Sequence, residues 1–283
     1  WVHAGFDNIL FTPNGRVHRL ITRLAVDNLF HPFQPFIMGQ MYYPPKMAAL
    51  FNIPLVFYGE NPTEYGNAKK ENSSSTKDAR YFSTNDTKNV HISGLPLAEL
   101  TQKFDIAQVD INPYLPISDQ DLKANEIDVQ YLGYYLPWHP QECYYFAAEK
   151  GGFKAAPERT AGTYSKYSSI DDKIDDLHYY TTFIKFGIGR ATYDASQEVR
   201  NGDITRDEAV ALVKRYDGEY SSRFETEIFE YLSIAPDQFG NTSDLFEQPM
   251  MDKNLFDAIT NRFRSPHIWK FENETWKLRH TVY

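Results

Sequence analysis

The chain has 283 residues, a formal net charge of −9 and a single cysteine, Cys143. That length can bury a sizeable core in one large domain or two ordinary ones, and the acidic balance argues against a general nucleic-acid or membrane-surface role, which needs basic patches. One cysteine leaves no internal disulfide and no cysteine-rich zinc site; no run is apolar enough to span a bilayer and no signal peptide is present, so the cytoplasm is the expected compartment.

Taken in order, the chain starts at Trp1 and enters Phe6-Asp7-Asn8-Ile9-Leu10-Phe11 within ten residues. Residues 9–12 read as a strand, and so early a buried strand suggests a fragment missing upstream residues. Residues 16–30 carry Val17, Leu20, Ile21, Leu24, Ala25 and Leu29 at helical spacing, and His31-Pro32 stops that helix. Two short apolar runs follow, Pro35-Phe36-Ile37-Met38 and Pro54-Leu55-Val56-Phe57-Tyr58, each ending in glycine plus a polar residue and joined by a helix over 46–51. Such runs suit strands buried on both faces of a parallel sheet, and ligands of α/β sheets sit beyond the carboxyl ends of the strands. Gly39, Gln40, Glu60 and Asn61 occupy those ends. They are therefore the first site candidates, expected to share a crevice with Arg190.

From about 67 to 90 the composition turns to Lys, Asn, Ser, Thr and Asp, which reads as a polar surface loop. Helices are expected over 95–104 and 119–125, a strand over 128–136, and a helix over 141–150 ended by Gly151-Gly152. A polar, tyrosine-bearing loop at 162–169 precedes a helix over 170–186. Thr205 and Glu208 have the spacing of a capping box, with Ala209, Leu212, Val213 and Tyr216 as the buried face behind it. Helices over 224–232 and 253–263 and a hairpin around Glu272-Asn273-Glu274 complete the chain.

Three groups of residues could carry chemistry. Glu60, Asn61, Glu64 and Tyr65 put two carboxylates, an amide and a phenol just past a buried strand; they could orient a nucleophile, hold a metal or accept a sugar hydroxyl, or simply cap the next helix. Lys185-Phe186-Gly187-Ile188-Gly189-Arg190 offers glycines for close approach of phosphate and two cations to neutralise it. A helix ending in an ordinary C-cap glycine explains the same residues, and the spacing is not a Walker sequence. His139 and Cys143 are four apart but lack the further ligands a zinc site needs. The 20 Tyr and 20 Phe could supply stacking platforms or core.

The order of motifs goes further. Phe6-Asp7-Asn8, Thr12-Pro13-Asn14-Gly15, Pro35-Phe36-Ile37-Met38-Gly39-Gln40, Pro54 through Asn61 and Glu64-Tyr65-Gly66 come first. Glu158-Arg159-Thr160, Gly162-Thr163-Tyr164, Lys185 through Thr192, Arg206-Asp207-Glu208-Ala209 and Ser265-Pro266-His267-Ile268-Trp269 follow. As a set this resembles the N-acetyl sugar amidotransferases, the lipopolysaccharide and pseudaminic-type family of the PP-loop ATP pyrophosphatase superfamily. The resemblance implies an α/β fold with a parallel-sheet PP-loop core, incomplete at its N-terminus, and a mostly helical C-terminal part. On that reading, 1–66 is the remainder of the nucleotide-binding core, 67–90 the polar loop and 91–283 the mixed C-terminal part with its hairpin. The implied reaction turns the acetamido group of a nucleotide-linked sugar into an acetamidino group: ATP, with Mg2+, adenylates the amide oxygen, and ammonia displaces AMP. Ammonia is implied to come from a glutaminase subunit through an ammonia-channel barrel subunit, both of the histidine-biosynthesis type.

The family's Ser-Gly-Gly-x-Asp-Ser phosphate loop and its cysteine-rich zinc segment occur nowhere in this chain. Both would precede Trp1, which implies an N-terminally truncated member, inactive by itself, with zinc confined to the missing segment. Carried over, Glu60, Asn61, Glu64 and Tyr65 would be catalytic. Gly39, Gln40, Lys185, Gly187, Gly189 and Arg190 would bind ATP or phosphate, and Asn14, Arg159 and Tyr164 would bind the sugar. A non-catalytic scaffold that binds glutaminase subunits is the competing reading.

Overall fold

A computed structural model describes residues 5–61, 63–64, 74–234 and 250–283. The chain is α/β, about half of it helical, with a small parallel sheet. Helix α1 (Gly15–Leu29) is the organising element. Its Val17, Leu20, Ile21 and Leu24 enter one core with Ile92, Leu100, Ile111 and Tyr114. Its far end, Val26 and then Phe30, enters a second core with Leu177, Ile184, Leu232, Phe256 and Trp269.

Two arginines of α1 tie it to α10 (Glu225–Leu232). Arg19 donates to the carbonyls of Glu230, Tyr231 and Ser233 at 2.5–2.7 Å, and the wholly buried Arg23 donates to Leu232 O at 2.7 Å and to Asp27 at 2.8 Å. The last carbonyls of a helix have no partners of their own, so these guanidinium groups satisfy them.

Strand β1 (Leu55–Tyr58) pairs in parallel with β4 (Asp128–Tyr131), Leu55 opposite Asp128. Between them run the short hairpin β2 (His91–Ile92) and β3 (Leu95–Pro96), then α3 (Leu97–Lys103), α4 (Gln108–Ile111) and α5 (Asp119–Ala124). After β4 come α6 (Pro140–Gly151), α7 (Asp175–Phe186), α8 (Arg190–Asn201) and α9 (Arg206–Tyr216). Beyond α10 lie α11 (Lys253–Phe263) and the hairpin β5 (Trp269–Glu272) and β6 (Thr275–Leu278). The capping box of α9 forms as its spacing predicts: Thr205 Oγ1 accepts from Glu208 N at 3.3 Å, and Glu208 Oε2 accepts from Thr205 N at 2.8 Å.

Four expectations are corrected. Residues 9–12 pair with no strand among the described residues and are largely exposed. Residues 34–51 form one helix, α2 (Gln34–Phe51), not a strand followed by a helix. Pro44 and Pro45 lie inside it and remove the N–H groups that would bond the carbonyls of Gln40 and Met41. The Tyr58 hydroxyl replaces one of them, donating to Met41 O at 2.6 Å. The strand expected over 128–136 stops at Tyr131 and gives way to a tight helical turn, Leu132–Tyr134. Within the expected polar loop, residues 74–90 carry Phe82 into a third core with Ile117, Leu122 and Val129; one large aromatic anchors an otherwise polar stretch.

Candidate functional site

Helices α6 and α8 flank a cleft of about 260 Å³. Each supplies a face at helical spacing: Pro140, Cys143, Tyr144 and Ala147 from α6, and Arg190, Asp194, Gln197 and Glu198 from α8. The loop between α6 and α7 adds Phe153, Tyr164 and Tyr167, and Glu64 reaches in from the turn after β1. The α6 face exists because His139 caps the helix, its Nδ1 accepting from Glu142 N at 3.3 Å, and Gly152 ends it in the left-handed region at φ 68°.

The walls are aromatic and the floor is acidic. Tyr144 and Tyr167 stack with ring centroids 4.7 Å apart, and Phe153 meets Tyr144 edge-on at 6.0 Å. Glu198 is buried; it accepts from the Tyr164 hydroxyl at 2.7 Å and from Gln141 Nε2 at 3.0 Å. Burial raises the Tyr164 hydroxyl well above its ordinary range, reinforced by its bond to Glu198. Tyr167 is pushed up to about 12, by burial first and the Glu198 charge next. Both phenols therefore remain neutral donors at physiological pH.

Asp194 accepts from Arg190 Nε at 2.8 Å and from Thr163 Oγ1 at 2.5 Å, while Arg190 Nη1 donates to the Tyr179 hydroxyl at 2.9 Å. Burial raises the carboxyl of Glu64. Its Oε2 accepts from Asn61 N at 3.3 Å, and its carbonyl accepts from Arg200 Nη2 at 2.6 Å, which fastens the β1 turn to α8.

Of the residues singled out in the sequence, Glu64, Tyr164 and Arg190 meet in this cleft. The expected union of Gln40, Glu60 and Arg190 is corrected. Gln40 lies exposed in the middle of α2 and Glu60 is exposed after β1, and neither lines the cleft. Gly39 sits on α2 against Tyr114, again at no strand end. Asn61 is buried and turns the chain, its Oδ1 accepting from Thr63 N at 3.0 Å; Tyr65 lies outside the described residues.

The remaining candidates are engaged with the protein's own groups. Lys185 Nζ donates to Leu29 O at 2.7 Å at the end of α1. Gly187 caps α7 at φ 72°, where a Cβ would come within 2.8 Å of Ile268 Cγ2. The amide of Gly189 donates to Asp217 Oδ2 at 2.9 Å, and the same carboxylate accepts from Thr192 N at 3.1 Å. The start of α8, where a phosphate was expected, thus carries the chain's own carboxylate, and these glycines do not fit a phosphate cradle. Arg159 makes a two-point ion pair with Glu219 at 2.5 and 2.6 Å, and Asn14 caps α1 through Arg16 N at 3.1 Å. His139 Nε2 faces Asp203 at 3.2 Å, and no group of three or more His, Cys, Asp or Glu among the described residues could hold a metal ion.

Sequence reading missed Tyr144, Tyr167, Asp194 and Glu198. The signal was present in the i, i+4, i+8 series Arg190, Asp194, Glu198, a charged stripe on one face of a helix.

Residues 161–283, a little under half of the chain, match the family model of the C-terminal domain of WbpG-like LPS biosynthesis proteins. That stretch supplies α8 and much of the loop lining the cleft. No curated protein matches the chain. Among the described residues no helix is long and apolar enough to cross a membrane.

Proposed function

We propose that the chain is the sugar-holding part of an ATP-dependent amidotransferase of LPS biosynthesis, and that the α6–α8 cleft takes the N-acetyl sugar of a nucleotide-linked substrate. The observation that carries this reading is the pairing of stacked tyrosines with a buried carboxylate, Glu198, in one cleft. Aromatic faces pack against the C–H face of a pyranose, and carboxylates accept from its hydroxyls. The similarity of residues 161–283 to LPS biosynthesis proteins supports the same choice.

In the overall reaction the amide oxygen attacks the α-phosphorus of ATP and pyrophosphate leaves. Ammonia then adds to the activated carbon, and AMP departs with the former amide oxygen. ATP supplies the leaving group that an amide lacks. This chain's residues would do the holding: Tyr144 and Tyr167 as walls, Glu198 and Tyr164 toward hydroxyl or nitrogen groups, Arg190 toward the phosphate-bearing end. Glu64 would take up the proton released by the incoming nitrogen, a role suited to a carboxyl raised by desolvation. Glutaminase and ammonia-channel partners would deliver that nitrogen.

Cys143, the only cysteine of the chain, lines the cleft and is exposed, so it reports occupancy without any engineered label. Alkylation by N-ethylmaleimide, followed by mass spectrometry, should slow about tenfold when UDP-N-acetylglucosamine fills the site. An unchanged rate at millimolar sugar nucleotide would remove the cleft from sugar binding.

A further inference from the structure

Glu198 is 5 % exposed and accepts only from neutral groups, Tyr164 and Gln141, with no Lys or Arg paired to it among the described residues. A buried carboxylate without a cation is expensive. The neighbouring guanidinium groups are engaged elsewhere: Arg190 with Asp194 and Tyr179, and Arg200 with the Glu64 carbonyl and Gln197. Three carboxylates, Glu64, Asp194 and Glu198, thus line the cleft against one guanidinium, Arg190. The walls beside Glu198 include the rings of Tyr144 and Tyr167, and aromatic faces attract cations.

We propose that the cleft selects a planar nitrogen cation, an amidinium, with Glu198 as its counter-ion and the Tyr144–Tyr167 pair as its aromatic wall. An amidinium presents N–H donors in the plane that a carboxylate accepts from, and its delocalised charge is weakly hydrated, as in a guanidinium. The inference rests on the reading of this cleft as the sugar site. It adds that the site discriminates between the two sides of the reaction: the acetamido group is neutral and the acetamidino group is protonated. Glu198 therefore stabilises positive charge as it develops on the incoming nitrogen, and it holds the product more tightly than the substrate.

The test compares UDP-N-acetylglucosamine with its N-acetimidoyl counterpart, made from UDP-glucosamine, as protectors of Cys143 in the full chain. The acetimidoyl probe should reach half-protection at a concentration about tenfold lower. In Glu198→Gln, which keeps the shape of the side chain and removes its charge, the ratio should fall to about threefold or less. Equal protection by the two probes on the unaltered chain would overturn the inference while leaving the sugar site standing, as would a tenfold ratio that survives in Glu198→Gln. Protection by neither probe would overturn the sugar site and the inference with it. Tyr144→Leu, which retains Glu198 and removes one aromatic wall, gives a second reading if Glu198→Gln fails to fold: the ratio must narrow there too, and an unchanged ratio counts against the proposal.

Discussion

His31 and His178 lie ring on ring, centroids 5.0 Å apart and planes 10° from parallel, with Phe33 on His178 at 5.0 Å. Their Nδ1 atoms are buried and have no hydrogen-bond partner among the described residues. Burial lowers His31 to about 4, with Lys185 adding to the effect. It lowers His178 to about 3, helped by His31, Arg190 and Lys185. Both rings are therefore neutral in the folded chain at pH values where the unfolded chain, with histidine near 6.5, binds a proton. Stability from this pair is complete above pH 6.5 and is lost as pH falls toward 4. Asp175 acts in the opposite sense. Burial raises it from 3.8 to about 6, so its folded form keeps a proton that the unfolded chain releases, and its contribution declines as pH rises between those values. Burial also raises Asp27, Glu64 and Asp217 and lowers His18, so the share of the pair is read by comparing a variant with the parent. His178→Phe, which keeps the stack and removes one titrating ring, should lose less melting temperature than the parent between pH 6.5 and 4.5. Thermal melts followed by circular dichroism at half-unit pH steps would show it; a profile equally steep in the variant would remove the histidine pair as its cause. Nothing in the sequence marked this pair. His31 read as the end of a helix, and its partner is far away along the chain.

At the level of elements, the helices were legible where they carry their own punctuation. Thr205 and Glu208, Gly151-Gly152 and Gly187 mark ends that the structure keeps. Helix α2 was not legible, for a reason that lies outside it. Its apolar start has the composition of a buried strand, and Pro44-Pro45 is a strong breaker by itself. The helix persists because Tyr58, on β1, brings a hydroxyl to the orphaned carbonyl of Met41. Burial raises that hydroxyl far above its ordinary value, so it remains a donor throughout the physiological range. Tyr58→Phe would leave the carbonyl without its donor and should lower the unfolding free energy by about 1–2 kcal/mol, read as a shifted urea midpoint. Tyr58 does not line the α6–α8 cleft, so protection of Cys143 by sugar nucleotide should be unchanged. A variant as stable as the parent would mean that α2 tolerates its prolines by some other means.

Across the whole molecule, the cleft draws on distant parts of the chain, which is why strand-end reasoning found it only in part. Polar residues at helix ends look alike in a sequence whether they hold a ligand or a backbone amide. Asn14, Arg159, Lys185 and Gly189 turned out to hold the protein itself, whereas Glu64, Tyr164 and Arg190 face the cavity. Among the described residues, Glu64 is the only lining residue from the part of the chain before β4, and its aim depends on what is missing at Gly133. A Cβ built on Gly133 would lie 2.3 Å from Glu64 Oε1 and 2.9 Å from its Cδ. No real contact is that short, so Gly133→Ala must turn the carboxylate away or displace the turn that Arg200 fastens to α8. If Glu64 helps to bind the sugar, Gly133→Ala should weaken Cys143 protection by about tenfold. The same substitution in a Glu64→Ala background, where there is no carboxylate left to displace, should change it by less than about twofold. Equal losses in both backgrounds would mean that Gly133 acts on the β4 end itself, and Glu64 would then have no share in the site.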